Sequence, residues 1–450
     1  MKHMIAILGA GESGVGAALL AYQKGYAVWV SDLGSISEAR KKVLTDTGIE
    51  FEEGKHSEKL ILAADEIIKS PGIPETAPIV RKARAKGIPV IDELEFAFRF
   101  SKGKVIAITG TNGKTTTTLL TFHLLKKAGL DVGLAGNVGE SWAGQLVKKD
   151  HAWWVLEVSS FQIDGFIEFK PRIAVLTNIT PDHLDRYDYQ LDNYISSKVS
   201  LFKNMNERDA AIFYGDDLNI QVGLGNINLQ ATTYQVSLEK AFERGGFFNG
   251  KEIQLLALGK KVRINPDDII LRGTHNLLNA MNASLAAILA GVDEEAIHSG
   301  LKDFKNAAHR MEHVATVLGI SFVNDSKGTN VDATSYALGS YSEPLIWIAG
   351  GVDKGNDYSS LYPIIKGKVK MLICLGENNE KLKKAFWGII PNIKETKSIG
   401  QAVAWGLEYG EEGDVILLSP ACASFDLFKN YEDRGNQFKS AVQELKSSVI

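Results

Sequence analysis

The stretch VIAITGTNGKTTT, residues 105–117, reads as a buried strand, a glycine-containing loop and the first turn of a helix. The strict P-loop pattern would need glycine at position 108, where Ile108 stands, so this loop is a shorter variant. Its physical chemistry is unchanged, because backbone N–H groups of residues 110–114 can wrap phosphates and Lys114 can neutralise their charge. The Thr115 hydroxyl can in addition ligate Mg²⁺. We therefore predict a triphosphate-binding loop on an α/β fold, the alternative being a glycine turn with a solvated lysine.

A second glycine-rich turn lies near the N-terminus. Gly9 stands near the end of the apolar run IAILGA (residues 5–10), and Gly11 and Gly14 follow it. Asp32 ends the next apolar run, as in a dinucleotide-binding fingerprint. Taken alone, this turn allows an NAD enzyme, a tight turn without ligand, or a site for the pyrophosphate of a nucleotide sugar. An NAD dehydrogenase has no use for the second loop at residues 109–117. Two nucleotide-binding turns therefore favour ATP-driven chemistry on a nucleotide-linked substrate.

Composition limits the class of protein. The chain has 450 residues, 45% hydrophobic and 23% charged, which predicts a soluble protein of about three domains. A net charge of −4 argues against a nucleic-acid partner, and no apolar run reaches the roughly 18 residues of a membrane span. The N-terminus turns glycine-rich where a signal peptide would continue apolar. Cys374 and Cys422 are the only cysteines, which excludes a disulfide framework and fits the cytoplasm.

The order of predicted elements is strand–helix almost throughout, which indicates parallel sheets covered by helices. We predict three domains, at residues 1–93, 94–299 and 300–450, the first boundary falling where a helix leads into strand 105–110. Residues 226–272 lack a helical period and favour antiparallel hairpins. Residues 313–326 also favour a hairpin.

Several motifs resemble the Mur ligase family, in the family's order and over essentially the whole chain. They are GTNGKTT at 110–116, LEVSSFQ at 156–162, TPDHLDRY at 180–187, GTHNLLNA at 273–280, HRMEHV at 309–314, NDSKGTN at 324–330, GGVDKGNDY at 350–358 and SPACASFDLFKNYEDRG at 419–435. The resemblance implies a Rossmann-like UDP-binding domain, a central P-loop-type ATPase domain and a Rossmann-like C-terminal domain. NDSKGTN with SPACASFD resembles the D-glutamate-adding members.

The resemblance also implies an activity. Such members join D-glutamate to UDP-N-acetylmuramoyl-L-alanine in peptidoglycan precursor synthesis, with ATP as co-substrate and two Mg²⁺ ions. The carboxylate is first phosphorylated, and the acyl phosphate is then attacked by the amine. The partners are thus small molecules, and a monomer is expected. Alternatives are another amide ligase of the family or a folylpolyglutamate synthase, a non-catalytic nucleotide-binding scaffold, and the NAD oxidoreductase suggested by the first turn.

Catalytic residues follow from the same resemblance: Lys114, Glu157, His183 and Lys198. Thr115, Glu157 and His183 are the implied metal ligands, joined by Lys198 if CO₂ carbamylates it. Carbamylation would convert the ammonium into a carboxylate-like anion that can hold Mg²⁺. From spacing alone, Lys198 is equally well a solvated helix lysine.

The remaining implied contacts divide by ligand. ATP contacts are Gly110, Thr111, Asn112, Gly113, Lys114, Thr115, Thr116, Thr117, Asn276, Asn279, Arg310 and Asp325. Substrate contacts are Gly11, Glu12, Ser13, Asp32, Ser70, Pro71, Gly72, Asn137, Ser159, Gln162, Lys327, Thr329, Lys354, Ser424 and Tyr431. Leu33-Gly34 replaces the family's frequent Thr-Arg and removes a cationic donor beside the uracil, and Tyr431 replaces a frequent Phe. Arg310 lies in the third domain and could stabilise phosphoryl charge only after domain closure.

Overall fold

The computed structural model describes residues 3–270, 273–353 and 355–449. Lys354, a predicted substrate contact, lies outside the described residues. The described residues form two compact units, one of residues 3–270 with 278–304 and the other of residues 273–277 with 305–449. No helix in the described part of the chain combines the length and apolar character that a membrane crossing needs.

The N-terminal domain is a five-stranded parallel sheet with helices. Its elements are β1 Met4–Leu8, α1 Glu12–Gln23, β2 Ala27–Asp32, α2 Glu38–Thr47, β3 Glu50–Glu53, α3 Glu58–Ile61, β4 Glu66–Lys69, α4 Pro78–Ala85, β5 Val90–Ile91 and α5 Glu93–Phe98. The strand order is β3-β2-β1-β4-β5, so the glycine-rich turn follows the central strand. The apolar run before the glycine-rich turn forms β1 and the run that ends at Asp32 forms β2, and the alternation of strands with helices is as predicted. β3 was not predicted, because its four residues EFEE carry a single aromatic among carboxylates.

Close contact between strand and helix explains one glycine of this turn. A Cβ on Gly14 would lie 1.9 Å from the carbonyl oxygen of Gly9. Any side chain there would push α1 away from β1, whose residues from Ile5 to Leu8 are fully buried. The third glycine of the motif therefore serves helix–strand packing whether or not a ligand binds.

The middle domain is built on a nine-stranded sheet. Its elements are β6 Lys104–Thr109, α6 Lys114–Lys127, β7 Val132–Gly136, α7 Trp142–Leu146, β8 Trp153–Glu157, α8 Ser160–Ile163, β9 Ile173–Leu176, α9 Leu191–Val199, β10 Ala210–Tyr214, α10 Leu218–Gly225, β11 Thr232–Ser237, β12 Gly245–Phe248, β13 Ile253–Ala257, β14 Lys260–Ile264, α11 Thr274–Ala290 and α12 Glu294–Asp303, with 3₁₀ turns at Leu184–Arg186, Ser200–Phe202 and Pro266–Asp268.

The order of this sheet is β14-β13-β12-β11-β10-β9-β6-β8-β7. β6, which carries the phosphate-loop sequence, pairs in parallel with β8 and β9. The predicted antiparallel hairpins are confirmed for β12, β13 and β14. The prediction is wrong for β11, which pairs in parallel with both β10 and β12. Strand direction depends on long-range pairing, which local alternation does not encode.

The C-terminal domain has a six-stranded sheet. Its elements are β15 Glu312–Val317, β16 Ile320–Asn324, α13 Val331–Gly339, β17 Leu345–Ala349, α14 Tyr362–Ile365, β18 Val369–Leu375, α15 Glu380–Phe386, β19 Asn392–Thr396, α16 Ile399–Tyr409, β20 Val415–Leu418 and α17 Tyr431–Val449, with a 3₁₀ turn at Ser359–Leu361. The order is β15-β16-β20-β17-β18-β19. β15 and β16 form the predicted antiparallel hairpin, and the other pairs are parallel.

Helix α5 joins the first two domains through buried carboxylates, and it confirms the helix predicted before strand 105–110. Asp92 caps the helix by accepting a bond from the Leu94 N–H at 2.9 Å. Glu93 accepts bonds from the Ser141 hydroxyl and the Ala143 N–H of the middle domain at 2.9 and 2.6 Å. Burial raises the pKa of Glu93 to about 7. Glu95 is fully buried and accepts backbone N–H bonds from residues 167, 168 and 169.

Removal of this last carboxylate should destabilise the first unit. In Glu95→Ala, three backbone donors at residues 167–169 lose their acceptor, which we expect to lower the free energy of unfolding by roughly 2–4 kcal/mol. Chemical denaturation followed by tryptophan fluorescence measures the effect. Glu207→Ala, at an exposed position of the same unit, is the matched control and should change stability by less than about 0.5 kcal/mol. Equal stability of the two variants would contradict this role of Glu95.

Candidate active site

The phosphate-loop sequence forms a tight turn between β6 and α6. Gly110 has φ 148° and Gly113 has φ 82°, both outside the range that other residues favour. A Cβ on Gly110 would lie 1.9 Å from the Thr177 hydroxyl oxygen, and one on Gly113 would lie 2.3 Å from Asn279 Oδ1. Glycine is therefore required at both positions by backbone conformation and by space. The backbone N–H groups at the start of α6 are positioned for an anion.

The loop is braced by the end of the neighbouring strand β9. The Asn112 N–H donates to Asn178 Oδ1 at 2.9 Å, and the Asn112 carbonyl oxygen accepts a bond from the Thr177 hydroxyl at 2.6 Å. The Thr111 hydroxyl accepts a bond from the Thr180 N–H at 3.0 Å. These bonds to both peptide and side-chain groups hold the loop in one shape before any nucleotide binds. A preformed cradle reduces the conformational entropy lost on binding.

Two lysines converge on one oxygen in this loop. Lys114 Nζ and Lys198 Nζ each donate to the Gly110 carbonyl oxygen at 2.8 Å. Lys114 donates as well to the Thr111 carbonyl oxygen at 2.8 Å. Burial lowers the pKa of Lys198 well below that of an ordinary lysine, and the charge of Lys114 lowers it further. The arrangement favours a neutral amine at Lys198.

Lys198 is 1% exposed, which excludes the alternative of a solvated helix lysine. Its Nζ lies 4.7 Å from the ring centroid of Tyr194, one helical turn earlier on α9. The Tyr194 hydroxyl shares a hydrogen bond of 3.2 Å with the Thr111 hydroxyl, so α9 is tied directly to the phosphate loop. Tyr194 was not predicted. Its i, i+4 spacing from Lys198 was the available signal.

Glu157 supplies an unsatisfied oxygen next to the loop. It pairs in register with Ile108, near the end of β6, and is 1% exposed. Its Oε1 accepts a bond from Asn137 Nδ2 at 2.7 Å, whereas Oε2 has no hydrogen-bond partner among the described residues. An unpaired buried carboxylate oxygen is costly unless a cation or donor occupies the position facing it. A hard cation with oxygen ligands fits this donor.

His183 lies in the loop after β9, in a left-handed conformation with φ 52°. Its side chain is 44% exposed, with Nε2 3.7 Å from Asp182 Oδ2. The ring packs edge-on against Phe161 at 5.2 Å between centroids. No group of three or more His, Cys, Asp or Glu residues in the described ranges is arranged to hold a metal by itself. Thr115 is buried at the first turn of α6, as are Thr116 and Thr117.

The predicted substrate contacts of the middle domain also have structural roles. Ser159 and Gln162 form a capping box at the start of α8, in which each side chain binds the backbone N–H of the other. Gln162 is 3% exposed, while Asn137 is exposed and holds Glu157. A capping box leaves little freedom to either side chain, so substrate would meet groups that are already oriented.

In the N-terminal domain, the Asp32 carboxylate accepts hydrogen bonds that hold the glycine-rich turn. Its Oδ2 accepts a bond from the Ala10 N–H at 2.6 Å, and its Oδ1 accepts one from the Gly34 N–H at 2.8 Å. Ser70 lies against Gly9, since a Cβ on that glycine would be 2.5 Å from the Ser70 hydroxyl oxygen. That hydroxyl is buried and has no hydrogen-bond partner in the described chain. The predicted contacts Gly11, Glu12, Ser13, Pro71 and Gly72 are exposed or half-buried around it.

The C-terminal unit contains its own polar cluster at the ends of β16 and β20. Asp325 accepts bonds from the Ser419 hydroxyl at 2.8 Å and from the Met311 N–H at 3.3 Å. Burial raises the pKa of Asp325 to about 6. Arg310 stands between two residues of positive φ, His309 at 64° and Met311 at 47°. Backbone strain at such positions persists where the surroundings fix it, often at functional sites.

Among the other predicted contacts of this unit, Lys327 lies against Tyr431, the first residue of α17. Lys327 Nζ is 5.4 Å from the ring centroid of Tyr431. Ser424 is buried, and Thr329 is half-buried, its N–H donating to the Lys327 carbonyl oxygen at 3.0 Å.

The segment of residues 273–277 belongs to the same unit. Burial lowers the pKa of His275 to about 4. Asn276 is buried.

Arg434 organises these loops and was not predicted. It is 1% exposed and donates to the Ser326 hydroxyl and carbonyl oxygens at 2.9 and 2.8 Å, and to the Cys422 carbonyl oxygen at 3.3 Å. Burial lowers its pKa to about 10. In the sequence it stands in YEDRG among other charged residues, which is the pattern of an exposed helix start. Only the fold reveals that it faces inward.

Comparison with known proteins follows the same division of the chain. Residues 3–92 match the Mur ligase MurD-like N-terminal domain, residues 108–287 the Mur ligase middle domain, and residues 309–422 the Mur ligase glutamate ligase domain. The chain is 47% identical over 445 residues to the UDP-N-acetylmuramoylalanine–D-glutamate ligase of Christiangramia forsetii, covering 99% of this chain and 100% of that one. It is 48% identical over 448 residues to the enzyme of the same name from Cytophaga hutchinsonii, with coverage of 99% and 100%.

Solved structures agree in fold. A pseudomurein peptide ligase type C from Methanothermus fervidus superposes with a TM-score of 0.63 at 20% identity, covering 99% of this chain and 100% of that one. UDP-N-acetylmuramate–alanine ligase from Thermotoga maritima gives 0.59 at 19% identity, with 99% of both chains covered.

The three sheets, the phosphate loop and these matches define an ATP-using, ADP-forming amide ligase. The chain belongs to the Mur ligase family. Within that family it is similar over its whole length to the D-glutamate ligases.

Substitution at the phosphate loop should separate a steric effect from conformational strain. Gly110→Ala places a methyl group against Thr177, and we expect ATP affinity to fall by at least about 100-fold, or roughly 2.7 kcal/mol. The matched control is Gly129→Ala, where φ is 76° but an added Cβ would meet no atom within 4 Å other than those of its chain neighbours. That variant should lose about 1–2 kcal/mol of stability and keep its ATP affinity. Titration with a fluorescent ATP analogue tests both, and unchanged affinity in Gly110→Ala would refute the steric argument.

Proposed function

We propose that this protein joins D-glutamate to UDP-N-acetylmuramoyl-L-alanine, consuming ATP and forming ADP and phosphate. The observation that carries the proposal is similarity of 47–48% over the whole chain to enzymes named for this reaction. The phosphate loop at residues 110–117 supports ATP as co-substrate. The reaction belongs to the synthesis of peptidoglycan precursors. We place it in the cytoplasm and expect a monomer.

The chemistry requires activation of an unreactive carboxylate. Phosphoryl transfer from ATP to the carboxylate of the alanyl group creates an acyl phosphate with a good leaving group. The amine of D-glutamate attacks the acyl carbon, the C–N bond forms, and phosphate leaves with the C–O bond electrons. The loop of residues 110–117 would bind the ATP phosphates, with Lys114 offsetting their charge. We propose Asn276, Asn279, Arg310 and Asp325 as further ATP contacts.

Mg²⁺ fits the oxygens of this site. The unpaired Oε2 of buried Glu157 and the Thr115 hydroxyl at the loop are hard donors of the kind Mg²⁺ prefers. We propose that Thr115, Glu157, His183 and a carbamylated Lys198 would hold two Mg²⁺ ions. When bound, the ions would reduce the repulsion between the anionic carboxylate and the ATP phosphates.

The surroundings of Lys198 support carbamylation. CO₂ reacts only with a neutral amine, and burial together with the charge of Lys114 lowers the pKa of Lys198. The neutral amine nitrogen attacks CO₂ and loses one proton, which converts an uncharged group into a carbamate anion. That anion would lie close to the Lys114 ammonium, on the same Gly110 carbonyl. The carbamate would then be attracted to the Lys114 ammonium.

Three groups of residues are proposed for the two organic substrates. Gly11, Glu12, Ser13, Asp32, Ser70, Pro71 and Gly72 would bind the UDP part, and Asn137, Ser159 and Gln162 the muramoyl-alanine part. Lys327, Thr329, Lys354, Ser424 and Tyr431 would bind D-glutamate. Cations and hydroxyl donors suit the two carboxylates of that amino acid.

The substrate assignment predicts a strict requirement. Phosphate release should depend on UDP-N-acetylmuramoyl-L-alanine, Mg²⁺ and D-glutamate together, and omission of any one should reduce it to background. The assay uses a panel of amino acids at equal concentration, with L-glutamate as the stereochemical control. Comparable turnover with L-glutamate or with a diamino acid would assign the chain to another amide ligase of the family.

The Lys198 assignment predicts chemical rescue. Lys198→Ala should lose at least about 100-fold in turnover, a loss of roughly 2.7 kcal/mol in transition-state stabilisation. Added acetate or formate should restore part of it by occupying the vacated carboxylate position. Lys203→Ala, at an exposed lysine just after α9, is the matched control and should behave as wild type. Wild-type turnover of Lys198→Ala in bicarbonate-free buffer would exclude a catalytic role.

A further inference from the structure

Arg186 links the N-terminal and middle domains within the first unit. It ends the short 3₁₀ turn that follows His183. Its Nη1 donates to the Gly72 carbonyl oxygen at 3.3 Å and its Nη2 to the Pro71 carbonyl oxygen at 3.4 Å, both on the loop after β4. The guanidinium carbon lies 4.4 Å from the ring centroid of Phe161, at the start of α8. One side chain thus contacts the loop after β4 and the helix after β8.

The contact with Phe161 continues into the phosphate loop through aromatic rings. Phe161 stacks on Tyr187 at 6.2 Å between centroids with 19° between planes, and Tyr187 packs against Tyr194 at 5.3 Å. The Tyr194 hydroxyl shares its hydrogen bond with Thr111. Phe161 is also the ring that the His183 imidazole contacts. Arg186 therefore stands at one end of a packed row that reaches the phosphate loop.

Arginine is suited to this position by shape. Both of its hydrogen bonds are long and therefore weak. Stacking of the planar guanidinium on the Phe161 ring, together with the attraction of its charge to the two carbonyl dipoles, contributes more than the hydrogen bonds themselves. A lysine carries the same charge, but it has no planar group that could stack on a ring while donating hydrogen bonds to two neighbouring carbonyl oxygens. The left-handed backbone at His183 turns the chain so that His183 and Arg186 meet the same Phe161 ring.

We propose that Arg186 is a positioning residue that holds the loop of residues 70–72 next to Phe161, so that the nucleotide-sugar substrate meets a preformed surface. The inference rests on the proposed function, because residues 70–72 are there assigned to the UDP part. Loss of Arg186 frees the loop, so substrate must order it on binding, and the cost falls on the affinity for that substrate. Chemistry at the phosphate loop would then change little.

The kinetic constants separate this role from others. Arg186→Ala should raise the KM for UDP-N-acetylmuramoyl-L-alanine by about tenfold, with kcat and the KM for ATP within about twofold of wild type. Arg186→Lys should resemble Arg186→Ala, because an ammonium group keeps the charge but cannot stack on the Phe161 ring as the planar guanidinium does. The matched control is Arg263→Lys on β14, an exposed arginine paired with Glu252 at 3.7 Å, which should leave all constants unchanged.

A double-mutant cycle tests the stack itself. Phe161→Leu should raise the same KM, and the double variant with Arg186→Ala should raise it by less than the product of the single effects. Independent, multiplicative effects would overturn the proposal, as would an equal rise in the KM for ATP or a loss confined to kcat. If Arg186→Ala fails to fold by thermal melting, Arg186→Lys decides the question, and wild-type constants in that variant overturn it.

Wild-type activity separates this inference from the proposed function. Absence of turnover with UDP-N-acetylmuramoyl-L-alanine and D-glutamate in the wild type would refute the function. The inference would then be refuted independently if Arg186→Ala binds UDP-N-acetylmuramoyl-L-alanine as tightly as wild type in calorimetry. Wild-type turnover with unchanged constants in both Arg186 variants would refute only the inference.

Discussion

A single carbonyl oxygen, that of Gly110, accepts hydrogen bonds from two lysines, and residues just after β9 hold the loop that carries it. Lys114 and Lys198 reach it from different helices at 2.8 Å each. Two ammonium groups so close in a buried place repel each other, so the better buried one is driven toward the neutral form. The pKa of Lys198 is accordingly lowered, first by burial and then by Lys114.

The position of that oxygen depends on the neighbouring strand. β6 lies between β8 and β9 in the sheet, and residues just beyond β9 hold the loop through Thr177 and Asn178. Gly110 must be glycine because its α-carbon rests against the Thr177 hydroxyl. Parallel strands bring their carboxyl ends to one edge, which is why groups 65 or more residues apart in sequence meet here.

The first unit combines two sheets through the buried carboxylates of α5. Glu93 and Glu95 accept bonds from middle-domain groups and lie in a helix that begins directly after the last strand of the first sheet. Charged groups are rarely buried without partners, and here most of the partners are backbone N–H groups. The loop of residues 70–72 and the phosphate loop therefore belong to one compact unit, and Arg186 connects the two domains at the same junction. The polar cluster around Asp325 is organised separately, by Arg434 and Ser419.

What the sequence determined by itself is local: the buried strands, the two glycine turns with their helices, the β15–β16 hairpin, and the motif set that defines the family. Each depends on residues close together in the chain, where periodicity and glycine placement act directly. Only the tertiary structure decided that β11 runs parallel to its neighbours, that Arg434 faces inward and that Arg186 reaches across to residues 71 and 72. It also decided that Lys198 is buried against Gly110, because burial and partner charge are set by segments 88 residues apart, which spacing along a helix cannot encode.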